Sequence, residues 1–208
     1  MILKDKVVIV SGVGPGLGRE IASAALRDGA KVVLAARSKE RLDGIAAELD
    51  PSGARVACRT TDITNAEHCK ALVQVAVDRF GGLDAVVQVA AFQTISSTLA
   101  QTTPEEWRGC FDTNVVGTVE LVRAATPQLK ARGGGSIVLI GSQSMWVPQM
   151  AQMAYAASKG ALLSAMYYMA KELGPDKIRV NMVVPTWMWG PPVQMYVQWQ
   201  AAERKVPE

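Results

Sequence analysis

A tyrosine and a lysine stand four residues apart in the segment Tyr155-Ala156-Ala157-Ser158-Lys159. On an α-helix this spacing places the phenol and the ammonium on one face, roughly 40° apart around the axis. A phenol is a weak base at neutral pH because its unperturbed pKa is about 10, but a neighbouring cation favours the phenolate and lowers that pKa. The pair therefore predicts general acid–base chemistry.

The same spacing occurs a second time, because Tyr167 and Lys171 repeat it in the same predicted helix. Tyr167 lies about three turns deeper, on a face rotated by about 120°. Tyr155 instead falls at the helix start, shortly after a predicted strand whose end is followed by Ser142. Ligands of open α/β sheets bind at the carboxyl ends of the strands. We therefore expect Ser142, Tyr155 and Lys159 to converge there.

Four glycines fall between a predicted strand and a predicted helix: Gly12, Gly14, Gly16 and Gly18. Glycine lets the backbone approach a phosphate closely, and a helix start offers unpaired N–H groups and the positive end of the helix dipole. The spacing G-x-x-x-G-x-G differs from the commonest dinucleotide fingerprint, and no G-K-[ST] follows as in a P-loop. We expect a dinucleotide-phosphate site here, the alternative being a tight turn without a ligand.

The second predicted strand ends at Ala36-Arg37, where a dinucleotide site reads the adenosine ribose. An acidic residue there accepts from the 2′-OH of NAD, whereas an arginine pairs with the 2′-phosphate of NADP. The sequence therefore favours NADP over NAD, unless Arg37 is only a solvated residue before a helix. Asp62, which precedes Ile63 after the third strand, either accepts from the adenine amino group or caps the next helix.

Short apolar runs alternate with longer amphipathic stretches along nearly the whole chain. The short runs predict strands at residues 7–11, 31–36, 55–59, 83–89, 136–140 and 178–184. The longer stretches predict helices at residues 17–28, 39–49, 65–80, 104–132, 152–173 and 193–203. This alternation predicts an α/β fold, a Rossmann-like doubly wound parallel sheet with helices on both faces.

The composition is that of a globular protein: 208 residues, 49% hydrophobic and 20% charged, with a net charge of +3. Because the sequence has no repeat and no long linker, we expect one domain over residues 1–208. The charge is spread along the chain, which argues against nucleic-acid binding. No apolar run reaches bilayer length and the start is too polar for a signal peptide, so a cytoplasmic protein without membrane contact is expected.

No metal site is predicted. His68 is the single histidine, and we expect it on the surface near a helix start. Cys58, Cys69 and Cys110 are widely spaced and lack a C-x-x-C pair, so they are expected to be reduced packing residues.

Together and in this order, the motifs resemble the short-chain dehydrogenase/reductase (SDR) family over nearly the whole chain. That family has the turn T-G-x-x-x-G-x-G and a catalytic set of Asn, Ser, Tyr and Lys. The resemblance implies an NAD(P)-dependent oxidoreductase with Tyr155 as general acid/base and Ser142 holding the substrate oxygen. It further implies that Lys159 binds the nicotinamide ribose and lowers the Tyr155 pKa, and that Asn114 anchors a water in a proton relay.

The resemblance also implies which residues contact the cofactor and that the protein is a homo-oligomer, a dimer or tetramer, built through the helix at 104–132 and the helix that bears Tyr155. The implied cofactor contacts are Gly12, Gly14, Gly16, Leu17, Gly18, Arg37, Asp62, Ile63, Ala90, Tyr155, Lys159, Pro185 and Met188.

Three features depart from the family pattern. Residues 88–91, Gln-Val-Ala-Ala, replace N-N-A-G, whose asparagine ties adjacent strands together. Residues 185–186, Pro-Thr, replace P-G, which leaves open the contact of Met188 with the nicotinamide amide. The chain stops before the seventh strand of the family, so the final strand of the sheet is expected to be missing.

Near the expected pocket the sequence is mainly apolar and has no basic cluster for a phosphorylated or carboxylated substrate. We predict a hydrophobic secondary alcohol or ketone that contacts Ser142, Gln143, Trp146 and Trp187. Residues 186–208 are expected to form a substrate loop, and packing of such a lid is the alternative explanation for its apolar residues. The residues near the pocket are Gln143, Met145, Trp146, Gln149, Met150, Trp187, Met188, Trp189 and Met195.

Three other functions remain open at this point. A 3-ketoacyl-acyl-carrier-protein reductase of the same family needs a basic docking surface beside the cleft. A non-catalytic NAD(P)-binding regulator agrees with the altered residues 88–91 but has no chemical need for the set of Ser, Tyr and Lys. A Rossmann methyltransferase needs no tyrosine–lysine pair.

Overall fold

The structure is a computed structural model that describes residues 1–94 and 98–205. The last three residues of the expected substrate loop, 206–208, lie outside the described residues. The strands are β1 Val7–Ser11, β2 Lys31–Ala36, β3 Val56–Thr60, β4 Ala85–Gln88, β5 Gly135–Ile140 and β6 Ile178–Val183. The helices are α1 Leu17–Arg27, α2 Lys39–Leu49, α3 Ala66–Phe80, α4 Pro104–Phe111, α5 Thr118–Ala131, α6 Met153–Leu173 and α7 Pro191–Arg204.

The strands form one six-stranded sheet in the order β3-β2-β1-β4-β5-β6. Every neighbouring pair is parallel, which confirms the predicted Rossmann-like fold. β2 and β3 lie on one side of β1, whereas β4, β5 and β6 lie on the other, so the order in which the chain adds strands reverses between β1 and β4. In such sheets this switch point opens a crevice at the carboxyl ends of the strands. The glycine turn follows β1 directly and therefore lies at this crevice.

The hydrophobic core has two parts, one on each face of the sheet. Val7 and Ile9 of β1 belong to the part formed with α3, α5 and α6. Val8 and Val10 belong to the part formed with α1 and α2. Because successive side chains of a strand point to opposite faces, a strand covered on both sides is apolar at every position. This explains the unbroken apolar run of β1.

The helix predicted at residues 104–132 is divided in the structure by a π-helical turn, Asp112–Gly117. The turn packs tightly, since a Cβ atom on Gly117 would lie 2.9 Å from Ile63 Cγ1. Within the turn, the Asn114 backbone carbonyl accepts from the Thr118 hydroxyl at 2.9 Å. Single π-turns inside α-helices occur frequently at functional sites. The hydrophobic period does not reveal the wider turn, so the prediction of one regular helix was wrong here.

Four predicted strands differ at their ends. β5 begins one residue earlier than predicted, and β6 ends one residue earlier. β4 is shorter than the predicted residues 83–89, because Val89 N and Ala90 N both donate to Ser11 O and the regular ladder stops there. β3 lies one residue later than predicted, and α7 extends beyond the predicted residues 193–203 at both ends. Among the helices in the described ranges, none combines the length and apolarity that a membrane span requires.

Candidate active site

The glycine turn closes against the end of β4. Gly12 has φ +87°, and a Cβ atom there would lie 2.2 Å from Ala90 N. A Cβ atom on Gly18 would lie 2.6 Å from Gly12 O, so α1 also packs directly on the turn. Gly14 and Gly16 differ, because no atom lies within 4 Å of a Cβ built on either residue. Gly12 and Gly18 therefore allow the backbone to pack closely, whereas Gly14 and Gly16 face open space.

The N-terminus of α1 fits an anionic group. Gly16 is its N-cap residue, and no side chain caps this helix end. Gly16 and Leu17 line a cavity at the carboxyl edge of the sheet. N–H groups of a first helical turn lack partners within the helix, and the helix dipole favours a negative charge beside them. The open glycines and the uncapped helix together match the diphosphate of a dinucleotide.

Arg37 is exposed directly after β2. The Asp62 carboxylate accepts from Thr64 Oγ1 at 2.7 Å and Thr64 N at 3.0 Å. These bonds, with a smaller effect of the Arg37 charge, hold the pKa of Asp62 below its usual value. The cap of α3 is Asn65, whose Oδ1 accepts from two backbone N–H groups, so the interpretation of Asp62 as that cap was wrong. The Ile63 side chain is buried in the core, which leaves only its backbone for a ligand.

Lys159 lies on α6, and its side chain is directed at the end of β5. Its Nζ donates to Ile140 O at 2.7 Å and lies 5.6 Å from the centroid of the Tyr155 ring. The residue is 3% exposed, and burial lowers the pKa of its ammonium group to about 8. The lysine and the tyrosine are therefore neighbours on one face of α6, as their spacing predicts.

Tyr155 and Ser142 meet at the same wall of the cavity. Burial raises the pKa of Tyr155, while its hydrogen bond with the Ser142 side chain acts in the opposite direction. Ser142 Oγ accepts from Ser144 Oγ at 2.9 Å and from Ser144 N at 3.2 Å, which fixes the hydroxyl. The raised pKa keeps the phenol protonated at neutral pH. Lowering of that pKa by Lys159 and a nicotinamide cation stays a prediction.

Asn114, in the π-helical turn, holds the segment that follows β4. Its Oδ1 accepts from Phe92 N at 2.8 Å, and its Nδ2 donates to Phe92 O at 2.9 Å. The same Nδ2 donates to Ser158 Oγ at 2.9 Å, and Ser158 Oγ donates in turn to Tyr155 O at 2.7 Å. The side chain of Asn114 thus joins the β4 exit to the helix turn that bears the tyrosine. A water relay at Asn114 stays a prediction.

Gln88 provides a tie at the altered family motif. Its Nε2 donates to Thr118 Oγ1 and to Ala90 O, both at 3.1 Å. Thr118 already gives its hydroxyl hydrogen to Asn114 O, so it must accept from Gln88. The Gln88–Thr118 bond joins β4 to the start of α5, and the Thr118–Asn114 bond extends this link to the π-helical turn. The sequence identified the altered motif but did not predict that Gln88 bridges to α5.

The cavity beside these residues has a volume of about 700 Å³. Of the predicted substrate residues, Ser142, Gln143 and Trp187 line it, whereas Trp146 is 62% exposed and is not among its lining residues. Pro185 and Met188 also line it, on the side predicted for the nicotinamide. Gln93 and Gln152 line it as well and were not predicted. Their one signal in the sequence is position, after β4 and directly before the helix that bears Tyr155.

The remaining candidates are structural. His68 is exposed near the start of α3, where its Nδ1 accepts from Asp62 N at 3.3 Å. Cys58, Cys69 and Cys110 are free thiols, and burial raises the pKa of Cys58 and of Cys69 to about 11, so both stay protonated. In residues 1–94 and 98–205, no three His, Cys, Asp or Glu side chains are grouped to hold a metal ion.

Comparison with known proteins agrees with this geometry. The profile of the family described as short chain dehydrogenase matches residues 6–200. An uncharacterized oxidoreductase of Staphylococcus aureus (strain MW2) is 35% identical over 184 residues, which cover 88% of this chain and 78% of that protein. Dehydrogenase/reductase SDR family member 4 of Sus scrofa is 34% identical over 183 residues, which cover 88% of this chain and 66% of that protein.

Two solved structures share the fold closely. L-sorbose reductase from Gluconobacter frateurii, crystallised with NADPH and L-sorbose, has a TM-score of 0.89 at 29% identity, over 96% of this chain and 76% of that one. A short-chain type dehydrogenase/reductase from Mycobacterium ulcerans has a TM-score of 0.89 at 30% identity, over 94% of this chain and 72% of that one. Fold and site together define an oxidoreductase with a Rossmann-like sheet. The chain belongs to the short-chain dehydrogenase/reductase family.

Proposed function

We propose that this enzyme interconverts a secondary alcohol and a ketone with NADP(H), and that Tyr155 is the general acid/base. The observation that carries the proposal is the meeting of Ser142, Tyr155 and Lys159 at a cavity that is also lined by Gly16 and Leu17 of the glycine turn. A phosphate-binding turn, a fixed hydroxyl, a phenol and a buried ammonium are the parts that hydride exchange at a carbinol carbon requires.

The chain supplies proton transfer and orientation. In reduction, Tyr155 Oη donates its proton to the ketone oxygen, for which the raised pKa is suitable because the phenol is protonated at neutral pH. The Ser142 hydroxyl holds that oxygen in place by a hydrogen bond. Lys159 binds the ribose hydroxyls and supplies the nearby cation that favours the phenolate formed. A bound nicotinamide supplies or accepts the hydride at the substrate carbon.

The preference for NADP rests on Arg37, which is exposed after β2 where the adenosine ribose is expected. The L-sorbose reductase of similar fold was crystallised with NADPH. An arginine forms charge-assisted hydrogen bonds with a phosphate, and the strand end offers no carboxylate for the 2′-OH of NAD.

A cofactor titration followed by a panel of ketones tests the proposal. NADPH and NADH are titrated against the protein, and the tighter binder is then used to follow nicotinamide absorbance with each ketone. We expect binding of NADPH in preference to NADH, and oxidation of NADPH with at least one ketone. If neither dinucleotide binds, the proposed oxidoreductase function is wrong.

The apolar lining of the cavity supports a substrate with an apolar surface. Met150, Trp187, Met188 and Trp189 line the cavity, and their apolar side chains support our proposal of a hydrophobic substrate. Met145 and Met195 are not among its lining residues. Residues 186–205 contribute much of this lining, and we propose that they act as a substrate loop of a single catalytic domain.

We also propose that the protein forms a homo-oligomer in the cytoplasm. Val116, within the π-helical turn, is 52% exposed, and on α6 Tyr167 and Tyr168 are 64% and 75% exposed. These apolar and aromatic groups lie on the two helices predicted to form subunit contacts, and exposed apolar patches are typical of interaction surfaces. Light scattering coupled to size-exclusion chromatography tests this, and a monomeric mass at all concentrations would contradict it.

A further inference from the structure

Four glutamine side chains line the cavity next to the catalytic residues: Gln93, Gln143, Gln149 and Gln152, here called the amide wall. Gln93 Nε2 donates to Gln152 Oε1 at 3.1 Å, so two of the four are held against each other. Gln152 is only 8% exposed. Gln93 is exposed, and its hydrogen bond satisfies the buried amide of Gln152, which would be costly to leave unpaired.

The Gln93–Gln152 pair is positioned by the elements that position the catalytic groups. Gln93 follows Phe92, whose backbone N–H and carbonyl are both bound by the Asn114 side chain. Gln152 is the N-cap residue of α6, and its carbonyl accepts from Ala156 N at 2.9 Å. It therefore stands three residues before Tyr155, at the start of the same helix.

The chemistry of this wall is that of a neutral hydroxyl group. A primary amide carries two N–H donors and two acceptor lone pairs, so one bond between Gln93 and Gln152 exhausts neither side chain. A hydroxyl both donates and accepts and can satisfy such a wall. Among the lining residues in the described part of the chain, Glu20 and Lys159 are the charged ones. Lys159 is bound to Ile140 O, and Glu20 lies on α1 beside the glycine turn.

The same cavity is also lined by aromatic rings. Trp187 and Tyr196 stack with ring centroids 5.0 Å apart, and both line the cavity. A carbon skeleton that presents C–H groups to these rings can direct its hydroxyls to the amide wall. The pocket therefore matches a molecule that carries both apolar C–H groups and hydroxyls.

We propose that the substrate is an uncharged hydroxyketone, with a diol or polyol as its reduced form, and that Gln93 and Gln152 bind a hydroxyl other than the reacting one. This inference rests on the proposed function. A site built to hydrogen-bond a substrate hydroxyl discriminates strongly against the analogue that lacks it, because the polar groups of the site are then left unpaired.

Two matched pairs of ketones test the inference: 2-hydroxycyclohexanone against cyclohexanone, and 3-hydroxy-2-butanone against 2-butanone. With the preferred nicotinamide cofactor, the wild type should favour the hydroxylated member of a pair by about tenfold or more in kcat/KM. Equal or better turnover of the unsubstituted ketones would overturn the inference while leaving the proposed function intact. If no ketone of either pair is reduced, the proposed function fails and the inference fails with it.

Variants assign the preference to the glutamines. The double variant Gln93→Leu/Gln152→Leu removes both partners at once, so the buried amide of Gln152 is not left without its partner. It should lower the ratio of kcat/KM values, hydroxylated over unsubstituted, to near one. Gln74→Leu, the same change on the exposed face of α3, should keep the wild-type ratio. A merely structural defect would lower both kcat/KM values equally and leave the ratio unchanged, which would overturn the assignment.

Discussion

The ammonium group of Lys159 is buried in the fold. Its replacement by methionine should reveal how much this burial lowers the free energy of unfolding. The residue is 3% exposed, and its Nζ donates to Ile140 O at 2.7 Å. Burial lowers its pKa from the ordinary 10.5 to about 8. Lys159→Met keeps a chain of similar length and removes the ammonium group.

The sign of the pH dependence follows from the two pKa values. Between pH 8 and pH 10.5 the unfolded state binds more protons at this lysine than the folded state does, so stability rises with pH. A shift of roughly 2.5 pKa units corresponds to about 3 kcal/mol. This full cost is present below the folded pKa and disappears above the unfolded one. Going from about pH 7 to about pH 9.5 relieves about 2 kcal/mol of it.

Urea unfolding of the wild type and Lys159→Met, near pH 7 and near pH 9.5, measures this relief. We expect the stability of the variant relative to the wild type to fall by about 2 kcal/mol between the two pH values. Lys171→Met is the matched control, because Lys171 lies on the same helix but is exposed. Its difference from the wild type should be the same at both pH values. A Lys159→Met difference that does not change with pH would refute the reasoning.

Four further substitutions test other parts of the site. Gly12→Ala should destabilise the fold by about 2 kcal/mol or more, since φ is +87° and the Cβ would lie 2.2 Å from Ala90 N. Gly14→Ala, with open space around its Cβ, should cost less than about 1 kcal/mol, and equal urea midpoints would contradict this contrast. Arg37→Leu should weaken NADPH binding about tenfold to a hundredfold and change NADH binding little, as fluorescence titration can show; an equal loss for both cofactors would contradict its role. Asn114→Ala should lower the free energy of unfolding by about 2 kcal/mol or more, because the Phe92 backbone loses its two bonds to the Asn114 side chain. An unchanged midpoint of thermal unfolding would contradict this structural role of Asn114.

The strands and helices of the fold can be predicted from local patterns in the sequence. A strand buried on both faces must be apolar at every position, as residues 7–10 are, and this pattern together with the alternating helices defines the sheet. The end of α3 can also be predicted, because Gly81 caps this helix in the left-handed conformation that other residues avoid. The order of the strands follows from these elements and from the connection rules of parallel sheets.

The π-helical turn at Asp112–Gly117 could not be predicted, because it depends on packing of Gly117 against Ile63 and not on a local pattern. The proximity of Tyr155 and Lys159, which we propose as catalytic, could be predicted because they lie close together in sequence. The amide pair could not, because Gln93 and Gln152 are joined only by the fold.

The predicted contact of Trp146 with the substrate shows what residue type alone does not determine. Its side chain is 62% exposed and does not line the cavity, although Gln143 and Val147 nearby do. The direction of a side chain in the short segment after β5 depends on the turn geometry there, where Gln143–Met145 form a 3₁₀ turn capped by Ser142. Residue type alone does not determine that direction.

The most direct test of the central claim compares two tyrosines of one helix. Tyr155→Phe removes the phenol hydroxyl at the cavity, and Tyr167→Phe removes one that is 64% exposed and has the same spacing to a lysine. Nicotinamide absorbance gives kcat for each variant, with cofactor binding measured separately by titration. Tyr155→Phe should lower kcat by about 10²- to 10⁴-fold while Tyr167→Phe stays near wild type. Undiminished turnover by Tyr155→Phe would contradict the assignment of the acid/base.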